Sequence, residues 1–353
     1  MEGKFIIENK YMARALELAE LGKGNVAPNP MVGCVIVNKG KIIGEGYHQE
    51  YGKAHAEVNA VNSVKNRELL SESTLYVVLE PCSHFGKTPP CTDLIIRERI
   101  PNVVIGTSDP FDKVAGAGIE KLKEAGTNIE LGVLEEECKE INRRFFTFHQ
   151  KKRPFIILKW AQTEDGFIDI DRTIELFGQP TWITNEISRM LVHKMRSEES
   201  AILVGTNTVL IDNPSLTLRL WSGKQPLRIL IDRNLRLPAE LELFNQKCPT
   251  LVFTSKHAES KPNLEYKKII FDGSEIEQIL DVLYQRNILS LIVEGGRELL
   301  LSFIKNSLWD ESYIFVGRRL FQKGVKAPEI SGTPQFLDDL DGSSLYVYRN
   351  TFP

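Results

Sequence analysis

Three short pieces of the sequence carry residue types suited to metal chemistry: His55-Ala56-Glu57, Pro81-Cys82 and Cys91. Zinc favours tetrahedral nitrogen and sulfur ligands, and a catalytic site draws three of them from the protein while leaving the fourth position for water. His55, Cys82 and Cys91 would meet that requirement, with Glu57 beside them to move protons as general base and acid. Residues two apart inside a helix point roughly 200° apart, so His55 and Glu57 can converge only if they straddle a helix start. There the positive end of the helix dipole would favour an anionic water. Taken singly, a histidine at a helix start is usually a cap, and a cysteine in an apolar neighbourhood is usually core.

Elements with the right ends are needed to bring these pieces together, and the sequence supplies them. Met12, Ala15, Leu16 and Ala19 form a helical stripe, and residues 32–37 and 41–46 flank Asn38-Lys39-Gly40 as a hairpin. The spacing predicts a helix over 55–65, pinned to a sheet by Ala54, Val58 and Val61. Residues 75–79 read as a buried strand, 91–99 as a helix opened by Pro89-Pro90, and 103–106 as another strand. Lys151-Lys152-Arg153-Pro154 then separates two independently patterned halves, so domains are expected over 1–150 and 151–353. The second half alternates again, with strands expected over 155–161, 201–204, 227–231, 290–294 and 313–316. Both halves are expected to be α/β layer folds.

Composition bounds the partners. With 353 residues, 42% hydrophobic and 26% charged, the chain can bury two ordinary cores. A net charge of -3 without a long basic block argues against nucleic acid as a partner and leaves small molecules as the expected ones. No run approaches the roughly 20 apolar residues of a membrane span, and Lys4, Glu8 and Lys10 stand where a signal-peptide core would be, so a cytoplasmic location is expected. Five cysteines then read as ligands or reduced thiols, with Cys34, Cys138 and Cys248 assigned to packing. Monomer and homo-oligomer both remain open.

H-x-E followed by P-C resembles the signature of zinc-dependent nucleobase deaminases. The chain departs from it in one respect: eight residues, 83–90, separate Cys82 from Cys91 instead of two. That loop, Ser83-His84-Phe85-Gly86-Lys87-Thr88-Pro89-Pro90, together with Asn29-Pro30-Met31-Val32-Gly33, Glu80-Pro81-Cys82 and Asp109-Pro110 through Val114-Ala115-Gly116-Ala117-Gly118, resembles the bifunctional riboflavin-biosynthesis deaminase–reductase family over nearly the whole chain. The resemblance implies a cytidine-deaminase-like three-layer domain followed by a dihydrofolate-reductase-like α/β domain. It also implies deamination of 2,5-diamino-6-ribosylamino-pyrimidinone 5′-phosphate, then NADPH-dependent reduction of the ribosyl group to ribityl. Asn29, His48, His84 and Lys87 fall on the family's substrate positions, where the family usually carries arginine in place of Lys87.

In the second half the family motifs appear in order: Leu158-Lys159-Trp160-Ala161, Asp165-Gly166, Trp182-Ile183-Thr184, the stretch from Arg196 to Arg219, and Val293-Glu294-Gly295-Gly296. A strand turning through two glycines into a helix near Arg297 lets backbone amides approach a phosphate, although such glycines are more often plain turn formers. By resemblance, Ala161, Trp182, Thr208, Asp212, Arg233 and the turn Gly296, Arg297, Glu298, Leu299, Leu300, Leu301, Ser302 contact NADPH. Lys159, Pro180, Arg196, Leu216, Arg219 and Glu294 fall on substrate positions, the two arginines being suited to bidentate capture of a sugar phosphate. Pro180 stands where the family has a small polar contact, inside a 170–181 segment longer than the family pattern. Two other readings are weighed beside this one: a zinc deaminase of another nucleoside or nucleotide, and a structural zinc module with a non-catalytic nucleotide-binding domain. Glu57 separates the last from the rest, because a structural site closes its fourth position and has no use for a proton carrier.

Overall fold

The structure is a computed structural model that describes residues 7–86, 89–111, 116–173, 177–179 and 181–350. The expectations for Lys87, Pro180 and the Val114-Ala115 pair lie outside the described residues. The chain divides into two compact units, 1–152 and 153–353.

The first unit runs α1 (Asn9–Glu20), β1 (Gly33–Asn38), β2 (Lys41–Tyr47), α2 (Ala56–Ser63), β3 (Thr74–Leu79), α3 (Cys91–Arg97), β4 (Asn102–Thr107), α4 (Ala117–Glu124), β5 (Asn128–Leu131), α5 (Glu135–Ile141) and α6 (Arg143–Lys151). Among the described residues its sheet has the order β2-β1-β3-β4-β5, antiparallel as far as β3 and parallel beyond it. Lys39 and Gly40 take positive φ, 48° and 77°, as a tight two-residue hairpin turn requires. Strand alternation sorts the core into two faces. Cys34, Ile36, Leu75, Val77, Val103 and Ile105 pack with α2, α3 and α4, whereas Val35, Val37, Tyr76, Val78 and Val104 pack with α1 and α5. The result is three layers, with Cys34 and Cys138 as core thiols.

The packing face of α2 keeps Val61 from the expected stripe and adds two alanines to it. Ala56, Ala60 and Val61 are the buried residues that meet the sheet, while Ala54 and Val58 are only partly covered. The reason lies on β2: a Cβ at Gly46 would sit 2.3 Å from the Ala60 amide nitrogen, and one at Gly44 would sit 2.7 Å from its carbonyl oxygen. Two glycines let the helix backbone press onto the strand, so Ala56 and Ala60 make the closest approach, while Val61 is buried beside them and Val58 packs at the edge of the same core.

The second unit runs β6 (Phe155–Thr163), β7 (Phe167–Asp169), α7 (Glu186–Glu198), β8 (Ala201–Val204), α8 (Thr206–Asp212), β9 (Leu227–Ile231), β10 (Thr250–Thr254), β11 (Leu264–Lys268), α9 (Glu275–Gln285), β12 (Ser290–Val293), α10 (Arg297–Lys305), β13 (Glu311–Gly317), β14 (Val325–Lys326), β15 (Gln335–Asp339) and β16 (Ser343–Arg349). Among the described residues, its main sheet has the order β11-β10-β9-β8-β12-β6-β13-β16-β15, parallel from β11 to β13 and antiparallel at β16 and β15. α9 and α10 cover one face and α7 and α8 the other. Strands buried on both faces read as continuous apolar runs, which is why β8 (AILV) and β12 (SLIV) carry so little alternation. No helix among the described residues is long and apolar enough to cross a membrane.

Candidate functional site

In the first unit, β3 ends at Leu79 and hands the chain to Glu80-Pro81-Cys82; His55 is the N-cap of α2, and Cys91 is the first residue of α3. His55 Nδ1 lies 3.6 Å from Cys82 Sγ and 3.3 Å from Cys91 Sγ, and the Cys91 amide donates to Cys82 Sγ at 3.3 Å. All three ligand atoms fall within 4.8 Å of one another. The edges of a tetrahedron around zinc with these ligands would be about 3.5 Å, so the donor set fits the metal in type and spacing. Hydrogen bonds from Cys91 and His55 hold Cys82 well below the usual thiol range, at about 4, while Cys91, bonded to Cys82 and buried, is pushed up. A dication beside the two sulfurs would favour the thiolate form of both.

Glu57, one residue into α2, is only 3% exposed, and burial pushes its carboxyl up. Its carboxyl feels the charges of Cys82 and His55, so the helix start does bring it to the ligand cluster. Asn29 and His48 join the same neighbourhood. Asn29 Nδ2 and His48 Nε2 are 3.0 Å apart, His48 Nδ1 and the Ala54 carbonyl oxygen are 3.0 Å apart, and the His48 and His55 rings meet edge-on at 5.5 Å. His84 stands exposed in the 83–90 loop.

Glu80 is a residue that the sequence reading left aside. It is buried, and its carboxylate accepts the backbone N–H groups of Asp109, Gly116, Gly118 and Ile119, at 3.2, 3.0, 2.9 and 3.3 Å. A Cβ at Gly118 would lie 2.2 Å from the Pro81 carbonyl oxygen, so the start of α4 packs directly on the segment that carries Cys82. The available signal was a carboxylate closing an otherwise apolar strand, which needs donors once buried.

In the second unit the expected residues fall at the carboxyl ends of the central parallel strands, where open α/β sheets bind ligands. Arg196 on α7 grips Glu294 with two parallel bonds, Nε to Oε1 at 2.8 Å and Nη2 to Oε2 at 2.7 Å, and Lys159 Nζ stands 3.8 Å from Oε2. Burial alone would raise the Glu294 carboxyl, but Arg196 and Lys159 outweigh it and bring it to about 2. Arg196 thus spends the Nε–Nη2 edge of its guanidinium on Glu294. Arg219 is exposed, and its Nη1 donates to Ser215 Oγ at 2.6 Å. His193, one helical turn before Arg196, was not singled out from the sequence. Its Nδ1 accepts the Arg219 amide at 3.1 Å, and burial followed by the charges of Arg196 and Arg219 lowers its pKa to about 4.

Thr208 and Gly296 meet at a second corner, where a Cβ on Gly296 would lie 3.0 Å from Thr208 Oγ1 and the Gly205 amide donates to the Gly295 carbonyl at 2.9 Å. The peptide between Gly295 and Gly296 is cis, and Gly295 takes φ 109° with open space where a side chain would begin. Two helix starts thus converge on a bare backbone corner, which fits a dinucleotide phosphate. Asp212, at the end of α8, pairs with Arg172 Nη2 at 3.0 Å. Leu300 is turned into the core, its amide bonded to the Gly296 carbonyl, and Leu216 is also core, at φ 52°. Arg297 pairs with Glu298, and Ser302 donates to the Glu298 carbonyl. Leu299 and Ala161 are partly buried against the core, and Leu301 is partly buried. Trp182 and Arg233 lie at the surface, Trp182 under Arg189 at 4.5 Å and Arg233 over Phe271 at 5.3 Å.

A three-layer unit with an open nitrogen-and-sulfur site defines a zinc-dependent deaminase of the cytidine type, and residues 6–107 match the family described as cytidine and deoxycytidylate deaminase zinc-binding region. Residues 154–329 match the RibD C-terminal domain. The riboflavin biosynthesis protein RibD of Aquifex aeolicus is 43% identical over 92% of this chain and 90% of its own, and that of Actinobacillus pleuropneumoniae is 40% identical over 92% and 88%. The crystal structure of a diaminohydroxyphosphoribosylaminopyrimidine deaminase/5-amino-6-(5-phosphoribosylamino)uracil reductase from Thermotoga maritima superposes with a TM-score of 0.86 at 41% identity, covering 97% of this chain and 98% of that one. The chain belongs to the RibD family of riboflavin-biosynthesis proteins, zinc-dependent deaminases joined to an NADPH-binding reductase domain.

Proposed function

We propose that residues 1–150 deaminate 2,5-diamino-6-ribosylamino-pyrimidinone 5′-phosphate and that residues 151–353 reduce the ribosyl group of the product to ribityl. The observation that carries the first half is the convergence of His55 Nδ1 and the sulfurs of Cys82 and Cys91 beside a buried Glu57. Zinc held by those three would supply the Lewis acidity that makes water a nucleophile at neutral pH. Glu57 takes the proton of the attacking water and delivers it to the exocyclic amine, which leaves as ammonia. Asn29 and His48 hold the ring by hydrogen bonds, and His84 and Lys87 are assigned to the substrate by their motif positions.

NADPH held in the second half would supply a hydride to C1′ of the opened, imine-like sugar, with the matching proton to its nitrogen from water, so the protein's own task is positioning. Thr208, the stretch Gly296–Ser302 at the start of α10, Ala161, Trp182, Asp212 and Arg233 form the cofactor's side. Lys159, Arg196, Leu216, Glu294 and Arg219 form the substrate's, with Arg219 on the phosphate, and Pro180 is assigned to the substrate by its motif position alone. Small pyrimidine ribotides are then the partners, without nucleic acid, in the cytoplasm, and with assembly into homo-oligomers compatible. A coupled assay that follows ammonia and NADPH separately tests this. The diaminopyrimidine ribotide should release one ammonia and consume one NADPH, whereas ammonia from cytidine or an RNA hairpin would overturn the substrate assignment.

A further inference from the structure

The loop that carries Arg219 is fastened to α7 by a short set of contacts. Arg196 Nη1 reaches the Thr217 carbonyl at 3.5 Å, a Cβ on Gly223 would lie 2.7 Å from Ser197 Cβ, and His193 Nδ1 accepts the Arg219 amide at 3.1 Å. The His193 contact acts on the backbone of Arg219 itself. His193 is buried at 5% exposure, so its ring cannot trade this bond for one to water at little cost. An Nδ1 that accepts an N–H carries no proton there, so the imidazole is the neutral Nε2–H tautomer. A neutral ring is also what this neighbourhood calls for, because Arg196, Arg219 and Lys159 already place three cations against the single carboxylate of Glu294. That excess suits an incoming dianion and would penalise a fourth cation.

We propose that His193 is a positioning residue of the reductase, the fixed acceptor that sets the Arg219 backbone so that its guanidinium meets the 5′-phosphate of the substrate. The inference rests on the assignment of Arg219 to that phosphate. Ser215 fixes the far end of the same side chain, through Oγ to Nη1 at 2.6 Å, so the arginine is held at both ends before substrate arrives. Preorganisation of this kind acts on binding of the phosphorylated substrate and leaves hydride transfer untouched.

The test uses the full-length enzyme, the deaminated ribosylamino-pyrimidine phosphate and its dephosphorylated counterpart, with H193L, H193N, H193Q and R219A. H193L should raise KM for the phosphorylated substrate about tenfold, the worth of one buried hydrogen bond, with kcat within about twofold. H193N offers an acceptor near the Nδ1 position and should recover most of that loss. H193Q keeps the polarity and bulk but places its amide near Nε2, so it should behave as H193L does and serves in its place if H193L fails to fold. All three should match the wild type on the dephosphorylated substrate. Wild-type KM in H193L and H193Q, while R219A discriminates between the two substrates, would overturn the role of His193. A fall in kcat on both substrates that H193N does not rescue would overturn it as well, in favour of a general structural part. If R219A itself fails to discriminate, the inference falls with the phosphate assignment, and that result identifies the assignment as the fault.

Discussion

At the residue scale, chemistry follows from which groups are buried with which. Glu57 carries a carboxyl that burial pushes up, and its place beside the ligand cluster suits it to carry a proton. Glu57→Gln should keep near-stoichiometric zinc, measured by metal analysis, and lose ammonia release by at least about 100-fold. Glu294 titrates in the opposite sense. Its folded value, about 2, lies below the ordinary 4.5, so the stabilisation it gives is complete above pH 4.5 and is lost as the pH falls toward 2. The melting temperature of the wild type should therefore exceed that of Glu294→Gln by a margin that is constant near neutrality and closes through that window; a margin that widened with acid would contradict the pairing with Arg196. The three metal ligands were legible because zinc constrains residue type so tightly. Glu80 and His193 were not, because their partners are backbone amides contributed by segments distant in sequence.

Elements decide whether those residues meet. α2 can cap itself with His55 and deliver Glu57 only because it lies against β2 at the distance that Gly44 and Gly46 allow. Gly46→Ala would place a methyl 2.3 Å from the Ala60 nitrogen and force the helix outward, at a cost of about 1–3 kcal/mol. We expect a lower melting temperature and weaker zinc retention on dialysis, together with unchanged NADPH oxidation when deaminated substrate is supplied. For the same reason the sequence pattern found Val58 and Val61 on the packing face of this helix but missed Ala56 and Ala60. Apolar periodicity finds large side chains, and here the contact is made by alanines that the glycines of another strand receive. The hairpin at Lys39-Gly40 was readable, since its turn chemistry is local.

On the scale of the whole molecule, each unit owns a complete core, and the two chemistries draw on separate sets of residues. Removing zinc with a chelator should stop ammonia release and lower the first unit's melting transition, while NADPH oxidation with deaminated substrate continues. Loss of both activities together would contradict that division. The α/β character of both halves could be read from alternating apolar runs, but the order of the nine strands in the second sheet could not, because pairing between distant strands leaves no local trace. One carboxylate, that of Glu80, ties four amides of the 109–119 stretch to the strand that delivers Cys82. That wall and the metal ligand are consequently a single rigid jaw, and reshaping one would misalign the other.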